Sequence, residues 1–193
     1  MQTDLGKRQE TGSDDAVEGR TTMKAVPIRK ERLFPTKNDI PESARSGLVA
    51  LLNRRLADAI DLQTQTKTAH WNVKGVGFIA LHKLFDEINE SVEEYVDEIA
   101  ERAVQLGGVA EGTLRIAAKR SELKEYPLEI AEDQGHLQAL SSALAAFGTR
   151  VRTAIEEAVA LGDAGTADLF TEISRGMDKW LWFVEAHLQA EAT

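Results

Sequence analysis

The feature that most constrains the fold is an apolar residue at every third or fourth position in four long segments. The clearest segment starts near Phe78 and ends at Gly107 and Gly108, over about eight helical turns. Its apolar residues are Leu81, Phe85, Ile88, Val92, Tyr95, Ile99, Ala103 and Leu106. This spacing places them on one face of a helix. No strand pattern of comparable length occurs, so the sequence predicts an all-α fold.

The other three segments begin after Pro41, near Leu137 and near Phe170. Asp39 and Pro41 are predicted to form the N-cap and first turn of the first helix, which should run to about Asn72.

The connections between these segments predict the topology. Residues 74–77 (KGVG) and 161–165 (LGDAG) are long enough only for tight returns between helices. About twenty residues separate the second and third long helices, with a short helical candidate at 114–119 before Pro127. A long middle connection favours a ferritin-like four-helix bundle, with a short extra helix between helices two and three, over a simple up-down bundle.

Length and composition predict one compact domain with a mobile extension. With 193 residues, of which 42% are hydrophobic, we expect a bundle over 39–193 and a flexible N-terminal segment over 1–38. The absence of cysteine excludes disulfides and thiolate ligands, so any metal would have nitrogen and oxygen ligands. No apolar stretch resembles a signal peptide or a membrane span, which predicts a cytoplasmic protein.

The charge is divided unevenly along the chain. The net charge of −9 disfavours nucleic-acid binding by the body of the protein. Between residues 20 and 37, however, six basic residues accompany a single acid, Glu31. They are Arg20, Lys24, Arg29, Lys30, Arg32 and Lys37. This segment could bind DNA phosphates, or it could be only a solubilising extension.

Two polar pairs on the second helix have the spacing of metal ligands. His82 and Asp86 are four residues apart, as are Asp97 and Glu101, so each pair occupies one helix face. The pairs are separated by eleven residues, or about 16 Å along the helix axis. Ligands must approach a metal to about 2 Å, so the two pairs cannot share an ion within one chain. Two antiparallel copies of the chain would complete both half-sites.

The stretch from His70 to Gly108 resembles the Dps family of mini-ferritins, the DNA-binding proteins of starved cells. It contains the tripeptide HWN at 70–72, a histidine twelve residues after His70, an aspartate four further on, and the DxxxE pattern of Asp97 and Glu101. The helical layout extends the resemblance over about residues 40–188. No Glu-x-x-His motif of the true ferritins occurs.

The resemblance implies a ferroxidase centre between two subunits, with His70, His82 and Asp86 from one chain and Asp97 and Glu101 from the other. It also implies iron oxidation by hydrogen peroxide or oxygen, mineral storage in a hollow dodecamer and protection of DNA, with nucleoid association if the tail binds DNA. The alternative is a nucleoid-architecture protein whose metal sites, filled for example by zinc or another divalent metal, are structural. A plain helical interaction module is a weaker alternative.

The resemblance implies further roles at two places. Trp71 adjoins a predicted ligand and could either intercept oxidising equivalents or pack. Acids at the start of the fourth long helix could line iron-entry pores or simply stabilise the helix N-terminus. They are Asp163, Asp168 and Glu172.

Four aromatic side chains match no ligand pattern. His136 and His187 are predicted to be surface or packing residues, and Trp180 and Trp182 to be core or interface residues.

Overall fold

The computed structural model describes Met1 and residues 32–189, and in these residues it contains five α-helices. They are α1 (Glu42–Asn72), α2 (Phe78–Gln105), α3 (Leu114–Arg120), α4 (Asp133–Ala160) and α5 (Ala164–Gln189). The four long helices and the short α3 between α2 and α4 confirm the predicted all-α, ferritin-like bundle. None of the described helices is both long enough and apolar enough to cross a membrane.

The four long helices form two pairs, each joined by a short turn, and the pairs pack around a continuous apolar core. Helix α1 packs against α2, α4 against α5, and α1 also contacts α3 and α4. Phe85, Phe147 and Phe170 are fully buried, one from each of α2, α4 and α5. Burying an aromatic ring of this size stabilises the fold by about 1.5–3 kcal/mol, so each of these three rings contributes substantially to the free energy of folding.

The long connection between α2 and α4 is held by buried polar groups of α1. The backbone N–H of Glu122 donates to the fully buried carboxylate of Asp58 at 2.8 Å, and Arg55 pairs with the same carboxylate at 3.0 Å. Burial raises the pKa of Asp58, and the Glu122 N–H and the Arg55 charge act in the opposite direction. Asn53, also buried, accepts from the Glu111 N–H and donates to the Val109 carbonyl. The connection is therefore bonded to α1 at Val109 and Glu111 and again at Glu122.

The start of α1 differs from the prediction. The helix begins at Glu42, Pro41 occupies the N-cap position, and no side chain caps the helix. Asp39 is exposed, so its predicted N-cap role is wrong. The local polar contact is made instead by Asn38, whose side-chain oxygen accepts from the Ile40 N–H at 2.9 Å. This turn satisfies the backbone N–H of Ile40, two residues before the helix begins.

The chain before α1 lies along the end of α2. The Phe34 N–H donates to the Gly107 carbonyl at 2.7 Å. Gly107 has a positive φ of 84°, and a Cβ there would lie 2.6 Å from the Phe34 carbonyl oxygen. Only glycine fits both the turn and this close approach. Of the predicted extension, residues 2–31 lie outside the described residues.

Candidate metal centre

Two predicted ligands, His70 and His82, lock each other in place across the α1–α2 contact. His70 lies in the last turn of α1 and His82 in the second turn of α2. The Nδ1 of His70 donates to the His82 backbone carbonyl at 2.8 Å, and the Nδ1 of His82 donates to the His70 carbonyl at 2.9 Å. The rings stack with centroids 3.8 Å apart at an interplanar angle of 21°. The short 73–77 turn makes this reciprocal contact possible.

This arrangement fixes the tautomer that each ring adopts when it is neutral. A carbonyl oxygen can only accept a hydrogen bond, so each Nδ1 must carry the proton. In the neutral imidazole the lone pair then lies on Nε2, which is the state that binds a metal. A backbone carbonyl on the opposite nitrogen is also the usual support for a metal-ligating histidine. Two neighbouring imidazoles are therefore preorganised to present Nε2 atoms.

The carboxylate of Asp86 completes this half of the site. It lies one turn after His82, and its Oδ1 is 3.6 Å from the Nδ1 of His70. Lys67, from α1, donates to the same oxygen and forms an ion pair with it. The Lys67 hydrogen bond is the main cause that lowers the pKa of Asp86, and the Lys67 charge acts in the same direction. Asp86 is therefore ionised at neutral pH and still has its second oxygen free of Lys67.

The second predicted pair, Asp97 and Glu101, lies on the exposed face of α2, about 16 Å further along the helix. Neither side chain makes an ion pair or a hydrogen bond to another described residue. Within residues 32–189, no three histidine, aspartate or glutamate side chains converge closely enough to hold an ion. One chain therefore offers two incomplete half-sites, one with imidazoles and a carboxylate and one with two carboxylates.

The surroundings of the histidine half-site are aromatic. Trp71 follows His70 directly and is 68% exposed. The Phe78 ring lies 5.1 Å from the His82 ring, centroid to centroid, and is also partly exposed. Large apolar side chains beside ligands that face outward form a surface suited to another protein.

Asp163 forms the N-cap of α5 and is almost fully buried. Its carboxylate accepts from the backbone N–H groups of Gly165 and Thr166 at 3.0 and 3.2 Å, and from the Thr166 hydroxyl. Arg102 of α2 donates to both carboxylate oxygens at 3.0 and 2.9 Å. Burial would raise the pKa of Asp163, but the bonds from Thr166 and Arg102 outweigh it and lower this pKa. Stabilisation of the helix N-terminus, predicted as the alternative to lining a pore, accounts for all of these contacts.

Asp168 and Glu172 of α5 are both exposed. Glu172 lies near two acids of α2, Glu94 and Glu98, which the sequence reasoning did not single out. Burial, and then the charges of Glu172 and Glu94, raise the pKa of Glu98.

Of the six basic residues in the tail, the structure describes only two. Arg32 and Lys37 are both exposed, and the Arg32 guanidinium lies 4.8 Å from the centre of the Phe34 ring. The other four, Arg20, Lys24, Arg29 and Lys30, lie outside the described residues.

The aromatic residues without a predicted role divide into two groups. Trp180 and His136 are buried, and Trp182 and His187 are exposed.

The sequence analysis did not identify Lys67. A lysine three residues before His70 forms no recognisable motif, and its contact with Asp86 depends on how α1 and α2 pack together.

Comparisons with known proteins agree with this architecture. The ferritin-like domain family matches residues 49–192. A DNA protection during starvation protein from Agrobacterium fabrum is 45% identical over 157 residues, which is 81% of this chain and 97% of that protein. Among solved structures, DpsA14 from Streptomyces coelicolor superposes with a TM-score of 0.79 at 34% identity, covering 83% of this chain and 95% of the other. Dps from Mycobacterium smegmatis gives a TM-score of 0.77 at 32% identity, covering 81% and 94%. The chain therefore belongs to the Dps family of ferritin-like proteins.

Proposed function

We propose that this protein oxidises Fe(II), its substrate, at sites completed by two subunits, and stores the ferric product. The observation that carries the proposal is the reciprocal bonding of His70 and His82, which leaves the Nε2 lone pair of each neutral ring free for a metal. The Asp86 carboxylate lies close by, with its Oδ1 3.6 Å from the Nδ1 of His70. Imidazole and carboxylate ligands suit iron, whereas the absence of thiolates disfavours soft metals. A membership in the ferritin-like family supports iron as the cargo.

The second subunit would supply Asp97 and Glu101. Their carboxylates are exposed and have no protein partner among the described residues, as expected of ligands that face another chain. In a twofold pair the relation is reciprocal, so each pair of chains would hold two sites. The outward-facing Trp71 and Phe78 would be covered at the same contact. We propose a homododecamer as the complete assembly, with the ferric mineral inside it.

Each protein group has a definable part in the reaction. His70, His82 and Asp86 bind Fe(II), and Asp97 and Glu101 complete its coordination and balance the added charge when it becomes Fe(III). Hydrogen peroxide or oxygen takes up the electrons. Lys67 orients Asp86 and keeps it ionised. Asp168 and Glu172 are proposed to draw cations toward the interior, and Asp163, which is buried and bonded to Arg102, is proposed to cap α5.

We further propose that the basic tail over 20–37 binds DNA without sequence preference. Arg32 and Lys37 are exposed, and relatives of this chain are named DNA protection during starvation proteins. Repeated display of a weakly binding tail on an oligomer would add affinity through multivalency. Oxidation of iron by peroxide at this site would consume both reactants before they form hydroxyl radical, and would thereby protect the bound DNA.

The direct test is Fe(II) oxidation by the purified assembly with peroxide or oxygen. The double variant Asp97→Ala/Glu101→Ala should oxidise iron no faster than buffer. A matched control, Glu90→Ala/Glu93→Ala, removes two exposed carboxylates from the same helix and should keep the wild-type rate. If the first variant oxidises iron normally, the ligand assignment is wrong. If wild-type protein binds zinc tightly and shows no iron turnover, the site is structural.

A further inference from the structure

A buried tyrosine and a buried histidine form a hydrogen-bonded pair outside the proposed iron ligands. The hydroxyl of Tyr126 lies 2.6 Å from the Nδ1 of His136, and their rings are nearly parallel, at 17°. Tyr126 is 8% exposed and His136 only 2%. The pair joins the long connection to the first turn of α4. Neither group has a part in binding or oxidising iron as proposed above.

The direction of the hydrogen bond follows from the chemistry of the two groups. A phenolic O–H is a stronger acid than the N–H of a neutral imidazole, and an imidazole nitrogen is a stronger base than a phenolic oxygen. The Tyr126 hydroxyl is therefore assigned as the donor and the Nδ1 of His136 as the acceptor. Burial raises the pKa of Tyr126 to about 12 and lowers the pKa of His136. At neutral pH the pair is therefore a neutral phenol bonded to a neutral base.

A phenol in this state can be oxidised without leaving a charge on the ring. Loss of an electron makes the hydroxyl strongly acidic, and a base already at 2.6 Å takes the proton in the same step. The ring lies between two clefts of about 560 and 500 Å³, both of which it lines, yet it is nearly excluded from solvent. A radical formed there would be shielded from reaction with other molecules.

We propose that Tyr126 and His136 form a redox site that accepts single oxidising equivalents. A hydroxyl radical takes one electron and becomes hydroxide, while Tyr126 becomes a neutral phenoxyl radical and its proton moves to Nδ1 of His136. One Fe(II) then returns an electron, becoming Fe(III), and the proton goes back to the phenolic oxygen. The backbone of Asn72, which acts to raise the pKa of His136, favours the imidazolium while it exists.

The pair is placed to serve the iron site. Asn72 ends α1 only two residues after His70, and Trp71 lies between them. Hydroxyl radical formed from iron and peroxide at His70 would arise within about one helical turn of Asn72, whose backbone lies near His136. This source of oxidant rests on the proposed function, whereas the redox property of the pair does not.

The chain offers a clean experiment because it contains only two tyrosines, Tyr95 and Tyr126. The assembled, iron-free protein is oxidised by a photogenerated one-electron oxidant, and the phenoxyl radical is followed by transient absorption and electron paramagnetic resonance. Wild type and Tyr95→Phe should form the radical, and Tyr126→Phe should not. A phenoxyl signal that persists in Tyr126→Phe and disappears in Tyr95→Phe overturns the proposal.

The role of His136 is tested by a variant and by isotope exchange. In His136→Gln the amide can accept the hydrogen bond but is too weak a base to take the proton, so the rate of radical formation should fall by about a hundredfold or more. In wild type the rate should be slower in heavy water. An unchanged rate in both measurements would overturn the proposal, and the isotope effect decides alone if the variant does not assemble.

A second experiment distinguishes failure of the redox pair from failure of the proposed iron oxidation. The Asp97→Ala/Glu101→Ala assembly should still form the Tyr126 radical with the photogenerated oxidant, although it no longer oxidises Fe(II). If that variant oxidises iron as wild type does, the proposed function fails while the radical result still decides the redox pair.

Discussion

The N-cap of α5 provides a sharp energetic prediction. Asp163 is 4% exposed, caps two backbone N–H groups and receives two bonds from Arg102. Replacing it by alanine removes a cap worth about 1 kcal/mol. It also removes the charged hydrogen bonds to a mostly buried guanidinium, worth about 2 kcal/mol. We expect Asp163→Ala to lower the free energy of unfolding by about 3 kcal/mol.

Asparagine separates the two contributions. Asp163→Asn keeps an oxygen for the cap but loses the charge that faces Arg102, so it should cost about 2 kcal/mol. The assay is urea unfolding followed by circular dichroism at one fixed protein concentration, since assembly also contributes to stability. Asp168→Asn, an exposed acid on the same helix, is the control and should change stability by no more than about 0.5 kcal/mol.

The pH dependence gives an independent check of the same contacts. Because the pKa of Asp163 is lowered in the folded protein, its contribution is present above the ordinary aspartate pKa and is lost as the pH falls through the folded value. The stability difference between wild type and Asp163→Asn should therefore shrink below about pH 4. If Asp163→Ala is no less stable than Asp168→Asn, or if the difference grows in acid, the reasoning is refuted.

Three further predictions concern the ligand, the bundle and the tail. Lys67→Met removes the main cause that lowers the pKa of Asp86, so the acid limit of iron oxidation should move to higher pH in a pH–rate profile. Gly176→Ala would place a Cβ 2.0 Å from the Tyr95 hydroxyl, and this overpacking should cost about 1–3 kcal/mol in urea unfolding. Deleting residues 2–31 should weaken salt-sensitive DNA retention and leave iron oxidation unchanged.

Each of these predictions has a matched control or a contrary result. Lys119→Met removes an exposed lysine from α3 and should leave the pH profile unchanged. Gly148→Ala is the control for Gly176→Ala: it is also a helical glycine, but its added Cβ would meet no atom closer than 3.5 Å, so the change should not be destabilising. DNA retention that is equally strong and equally sensitive to salt without residues 2–31 would exclude the tail as the main binder.

The sequence was sufficient for the helices and insufficient for the contacts between them. Apolar spacing and glycine-rich turns located α2, α3 and the returns, because helix periodicity is a local property. The mutual locking of His70 and His82 could not be predicted, since it depends on how two helices are aligned across the 73–77 turn.

Buried polar partners were the other feature hidden from the sequence. Asp163 has the same pattern whether it caps a helix or lines a pore, and only its burial and its bonds to Arg102 distinguish the two. His136 gave no signal because its partner, Tyr126, lies in an irregular connection whose path is set by tertiary contacts.

The central claim is that neighbouring subunits complete each iron site, and complementation tests it most directly. His82→Ala lacks one half-site, and Asp97→Ala/Glu101→Ala lacks the other, so each alone should be inactive. Coexpressed in equal amounts and paired at random, half of the twofold pairs are mixed, and each mixed pair holds one intact site of two. The mixed assembly should recover about a quarter of the wild-type rate of Fe(II) oxidation. A mixture no more active than its inactive parents would contradict the account.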